Sequence, residues 1–139
     1  MIAIIKSISD MLCRDQITVQ EVSKALGDVL DGGDSGIAIK VRPDDPAIRE
    51  ARVVRRDDSD AVSHVDLTPT HPFPMSNLVA VFGPYGEVDR LPNPKAPPRV
   101  AFEVAPAGKS HTATIFASYE EGDHDADDGM IIAVMIRRD

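Results

Sequence analysis

Two stretches of the chain set out the same order of residue types. Ile17, Val19, Val22, Ala25 and Leu26 precede Gly27, and Phe73, Met75, Leu78, Val81 and Phe82 precede Gly83. Each is the apolar spacing of a short amphipathic helix that stops at a glycine. Each is followed by a polar loop and then by three runs that alternate as strands do. The pattern predicts an α+β chain of two tandem α-β-β-β units, with helices packed on one face of antiparallel sheet. A first αα-β-β-β unit covers 1–70 and a second α-β-β-β unit covers 71–139, as one compact domain overall. Apolar spacing before a glycine also describes unrelated helices, and the α+β expectation holds either way.

The details of the first unit follow from local chemistry. Met1, Ile4, Ile5, Ile8, Met11 and Leu12 make one stripe along a helix over about residues 1–14. Lys6 and Asp10 interrupt that run, and it has neither a leading basic segment nor a small-x-small site, so it reads as a helix and not as a signal peptide. Thr18 is placed to cap the second helix, with Glu21 three residues on and Ile17 stapling to Val22. Gly27 is expected to end it in a left-handed conformation, and residues 28–36 form an irregular loop. Strands are expected over 37–42, 51–56 and 61–68, with Asp57, Asp58 and Asp60 in a hairpin turn.

Pro69, Pro72 and Pro74 mark the junction of the units. In the second unit Pro74 stands where Thr18 stood, which a helix entrance tolerates. A proline-rich connection over 84–98 leads to strands over 100–104, 113–119 and 130–136. The last is apolar on both faces, with Ile132, Val134 and Ile136 one way and Ile131, Ala133 and Met135 the other.

Leu26-Gly27 and Phe82-Gly83, with the apolar residues before them and antiparallel strands after, resemble the tandem layout of β-lactamase inhibitory protein. The small outer-membrane assembly lipoproteins share a related single unit. The resemblance implies that fold and binding through a sheet surface; it does not imply β-lactamase as the target. The chain departs from both groups in having no paired cysteines and no lipidation cysteine behind a secretion signal.

Charge narrows the function classes. The 139 residues carry a formal net charge of −8, with 42% hydrophobic and 27% charged residues. Such acidity argues against nucleic acid and anionic membrane as partners and favours solubility or a basic partner. The lone Cys13 has no internal disulfide partner, consistent with the cytoplasm.

No motif assembles a reaction centre, so no catalytic, cofactor or metal residues are assigned and no cofactor is expected. Asp123, Asp125 and Asp127 alternate as in a calcium loop, but Asp128 displaces the glycine and Val134 holds the twelfth place. A solvated hairpin loop accounts for the run, and whether it binds a cation stays open. His64, His71, His111 and His124 lack zinc spacing. Ser63 beside His64 and Ser110 beside His111 would face opposite sides of a strand, which argues against a nucleophile and base.

The candidate contact residues are Lys40, Arg42, Arg52 and Arg55 on adjacent strands, Asp57 and Asp58 in the turn, Asp123, Asp125 and Asp127 in the acidic loop, and Tyr119. The basic group reads either as cross-strand partners for nearby aspartates or as a surface for an acidic partner. Ala101, Glu103, Thr112 and Thr114, with Ala133 and Met135, would lie on the open face of the second unit, suited to burial against a partner or a second copy. The leading expectation is a cytoplasmic protein-binding module of inhibitor or immunity type, occluding a partner such as a toxin or effector. The alternatives are a ligand-binding protein or small enzyme with a pocket between two sheets lined by His64, Asp66, His111 and Tyr119, and an obligate homodimer.

Overall fold

The structure, a computed structural model, describes residues 1–30, 36–88, 95–120 and 125–139. It is α+β: among the described residues three α-helices lie against one antiparallel sheet. Helix α1 (Ile2–Leu12) buries Ile5, Ile8 and Leu12 of the expected stripe, with Ser9 beside them, while Met1, Ile4 and Met11 pack partly buried at its edge. Helix α2 (Val19–Leu26) begins where Thr18 Oγ1 accepts the Glu21 amide at 3.2 Å, and it buries Val19, Val22 and Leu26. Glu21 returns its carboxylate to the Thr18 hydroxyl, 3.3 Å away.

The four strands that follow are β1 (Gly27–Val29), β2 (Ala38–Pro43), β3 (Ile48–Arg55) and β4 (Val62–Pro69). A two-residue strand, β5 (Phe73–Pro74), leads into helix α3 (Met75–Phe82). Then come β6 (Gly86–Glu87), β7 (Arg99–Val104), β8 (Ala113–Tyr119) and β9 (Met130–Arg138). The strand order is β1-β2-β3-β4-β9-β8-β7-β6, with β5 pairing on β9.

Several expectations need correction. The strands form one sheet and not two, because β4 pairs directly with β9 through Val65 opposite Ile136 and Leu67 opposite Val134. These four side chains are buried, so the junction of the halves is filled and there is no pocket between two sheets. Among the described residues, α2 and α3 are each followed by a short edge strand ahead of the three longer ones, since β1 and β6 lie inside segments read as loops. Gly27 does not end α2 in a left-handed conformation; its φ of 158° and ψ of −144° carry the chain straight into β1. Strand β3 starts three residues earlier than expected, where Ile48 pairs with Pro69.

The proline entrance of α3 is secured differently from that of α2. Pro74 offers no side-chain cap, but Met75 N–H donates to the Gly129 carbonyl at 3.0 Å and Phe73 pairs with Ile131. One orphan amide of the helix start is thus met by the chain entering β9. In β9 the core side chains are Ile131, Val134 and Ile136. The expected partner Ile132 is displaced because Tyr119 pairs with Ile131 while Ser118 pairs with Ala133, a bulge that reverses the alternation.

Candidate functional site

The helices cover one side of the sheet, and alternation places every second residue of each strand on the other side. Reading across that open face, Lys40 lies opposite Arg52, Arg52 opposite Asp66, and Asp66 opposite Met135. Met135 lies opposite Phe116, and Phe116 opposite Ala101. The face is hollowed, enclosing about 730 Å³. Lys40, Arg42, Arg49, Arg52 and Arg99 line it, against the acidic Glu50 and Asp66, a local excess of three positive charges. Its floor is apolar where Phe116, Ala133 and Met135 meet.

The cations on this face are not equally engaged. Arg52 Nη2 lies 3.1 Å from Asp66 Oδ2. Lys40, Arg42, Arg49 and Arg99 have no carboxylate within ion-pair distance among the described residues. Asp45, two residues beyond β2, accepts the Ala47 amide at 2.9 Å and lies 3.4 Å from the Met1 amino group, so it does not pair with the basic group. The amide of Ala47 chiefly, and the amino charge, hold its carboxyl below the usual value despite some burial.

Arg99 and Arg137 pack on the same aromatic ring, with guanidinium carbons 4.7 and 4.9 Å from the Phe116 centroid. Arg137 also reaches Asp139, 3.2 Å away. The Nε of Arg99 is buried and has no hydrogen-bond partner among the described residues. A buried orphan donor costs about 1–3 kcal/mol.

The sequence candidates do not all gather here. Lys40, Arg42 and Arg52 do. Arg55 lies on the other face, because alternation along β3 from the open-facing Arg52 sets it with the inward Val53 and opposite the buried Val62; its Nη1 lies 2.6 Å from Asp60, and its Nε donates to the Gly36 carbonyl. Asp57 and Asp58 share that cleft with Gln20 of α2. At the other end of the sheet, Asp125 precedes and Asp127 lies on the short 3-10 turn Ala126–Asp128 before β9. Asp127 accepts the Tyr85 hydroxyl, which pushes the Tyr85 pKa up to about 12, with burial a smaller cause. Tyr119 packs on the core edge beside Gly129, at the end of β8 away from His111. Asp123 lies outside the described residues, as does His124.

The histidine readings also change in detail. Ser63 Oγ lies 3.2 Å from His64 Nδ1, because the bulge between β3 and β4 leaves Ser63 without a partner and breaks the expected alternation. Asp66 Oδ2 is 3.6 Å from His64 Nε2 and nearer to Arg52. That distance is too long for the hydrogen bond a relay would need. Ser110 donates to Asp15 and not to His111. His64 and Asp66 on β4 therefore share no pocket with both His111 and Tyr119, which stand at opposite ends of β8, about 25 Å apart. Thr112 falls just outside β8, whereas Thr114 lies in it.

Cys13 is fully buried, with Sγ 3.8 Å from the Val104 carbonyl, and burial pushes its thiol pKa up. Such a thiol is a packing residue, not a nucleophile. Among the described residues no group of three or more His, Cys, Asp or Glu is arranged to hold a metal ion, and no helix is long and apolar enough to cross a membrane.

Arg99 and Phe116 were not among the sequence candidates. The signal was present: Ala101 and Glu103 were read as outward, and one more step of the same alternation gives Arg99. Phe116 is an aromatic at an outward position between the inward Ile115 and Ala117. Comparison with protein-family models, curated proteins and solved structures finds no match to this chain.

Proposed function

We propose that the chain is a protein-binding module that docks its partner on the open face of the sheet, in the manner of an inhibitor or immunity protein that occludes a partner's active site. The observation that carries this reading is the set of Lys40, Arg42, Arg49 and Arg99 around an apolar floor, cations without carboxylate partners among the described residues. Arginine, methionine and phenylalanine are enriched at the cores of protein interfaces, and Arg99, Met135 and the buried Phe116 line this hollow together. A tandem origin is supported by the sheet order, in which a helix, a glycine, a short edge strand and three longer strands occur twice and the two last strands meet at the centre. Likeness to the layout of β-lactamase inhibitory protein is part of the same proposal. We place the protein in the cytoplasm, on the strength of its single buried cysteine.

The test is capture with face-specific variants. The immobilised chain should retain one protein in stoichiometric amount. Ala133→Arg and Met135→Glu, which alter the open face, should abolish retention, while Val81→Arg on the exposed side of α3 should not. Absence of a stoichiometric partner, or equal loss with Val81→Arg, sinks the reading.

A second reading has its own observation. A hollow of about 730 Å³ is within the size range of ligand sites. A small anionic ligand would then raise the melting temperature of the isolated chain, with no partner protein needed. A homodimer through this face would bring like charges together, so light scattering should report a monomer.

A further inference from the structure

Resting on the protein-docking reading, we propose that the partner presents an extended acidic segment that crosses the sheet, with carboxylates at its two ends and an apolar residue between. Three observations converge on it. The chain is −8 overall, yet the hollow carries an excess of three positive charges. Overall charge would therefore repel an acidic partner at long range, and attraction is confined to this face within about a Debye length, ~8–10 Å.

The cations stand at the two sides of the hollow. Lys40 and Arg42 are on β2 and Arg99 is on β7, with β3, β4, β9 and β8 between them. Five strand spacings make about 24 Å along the sheet, the length of about seven extended residues. The middle of that path runs over Ala133, Met135 and Phe116, the apolar floor. A segment with carboxylates at both ends and a Leu-like side chain in the middle matches charge to charge and apolar surface to apolar surface.

Arg99 supplies the anchor. Its guanidinium is already held on Phe116, so little side-chain freedom remains to be lost on binding. Arg99 is half-buried and lines the hollow, so its guanidinium can meet a carboxylate oxygen there. Nucleic acid is disfavoured, because Phe116 is a single aromatic already covered by Arg99 and Arg137, leaving no row of rings for successive bases.

Labelled synthetic peptides of about eight residues test this on the full chain. One has two glutamates at each end and leucines at the centre; a second has glutamates at one end only. Fluorescence anisotropy should show the first binding more tightly than the second and weakening as salt rises. Lys40→Glu with Arg42→Glu, both exposed, should weaken the first peptide by about tenfold or more. Arg99→Gln should do the same with an unchanged circular dichroism spectrum. A short oligothymidylate and inorganic phosphate serve as the other probes.

Peptide binding that ignores the charge reversal and Arg99→Gln overturns the inference, as does tighter binding of oligothymidylate or equal competition by phosphate. A captured partner protein that stays bound to both variants also overturns it while leaving the docking reading intact. Charge-dependent peptide binding without any captured partner does the converse, supporting the acidic specificity while the docking reading fails.

Discussion

Gly27 and Arg42 approach so closely across β1 and β2 that a Cβ on the glycine would stand 2.0 Å from the Arg42 carbonyl oxygen. No side chain fits there without displacing backbone. Gly27→Ala should therefore cost about 2–3 kcal/mol in denaturant unfolding, as overpacking does, and amide shifts should spread along β2 to Val41 and Arg42. Gly83 ends α3 at φ 81°, and a methyl group there would meet nothing within 4 Å. Gly83→Ala should cost only backbone strain, about 1–3 kcal/mol, with shifts confined to the helix end. Equal spreading in both variants would contradict this distinction.

The seam between β4 and β9 should make the halves unfold as one unit. Val65, Leu67, Val134 and Ile136 are all buried where the two strands pair. Leu67→Ala should remove about 2–5 kcal/mol and lower the melting of both halves together. Circular dichroism and a fluorescent label on α3 should report one coincident transition. Two separable transitions would mean that the seam does not couple the units.

What was legible in the chain was local. The Thr18 cap, the glycines after α2 and α3 and the alternation of β2 all arise from neighbours within a few residues, so they could be read directly, and with them Lys40 and Arg42 as outward cations. The short strands β1 and β6 carry too few residues to show a period. Bulges are set by the partner strand: the shift opposite Val54 and Arg55 left Ser63 without a partner and broke the alternation of β4, and the one at Ser118 and Tyr119 exchanged Ile132 for Ile131 in the core. The packing of Arg99 and Arg137 on Phe116 joins three strands, β7, β9 and β8, and no single stretch of sequence contains it.

Asp45 gives the fold an acid-sensitive contact beside α1. Its carboxylate accepts the Ala47 amide at 2.9 Å, and its pKa lies below the unperturbed 3.8. A depressed carboxyl stabilises the fold above its unfolded pKa, and that contribution is lost as pH falls through the lower folded value. Asp45→Asn should thus be less stable than the parent at neutral pH, by about 1 kcal/mol or less for so accessible a group. The difference should close once the pH is below the folded pKa. A gap that persists unchanged in strong acid would assign the effect to packing and not to charge.

Tyr85 and Asp127 tie the turn before β9 to the chain leaving α3, which gives Asp127 an internal use. The hydrogen bond from the phenol to the carboxylate is the main reason that the Tyr85 pKa rises from 10.0 to about 12, with burial and the negative charge adding to it. Because the folded pKa is the higher one, this contribution to stability is complete below about pH 10 and fades as pH rises through about 12. The chain has two tyrosines, so the difference between parent and Tyr85→Phe in phenolate absorbance isolates this group. Asp127→Asn should bring its titration down towards 10.0 and leave retention of a partner on the open face unchanged, since the turn does not line the hollow. If Tyr85 ionises at its ordinary pH in the parent chain, the bond is not formed in solution; if Asp127→Asn releases the partner, the acidic turn belongs to the docking surface.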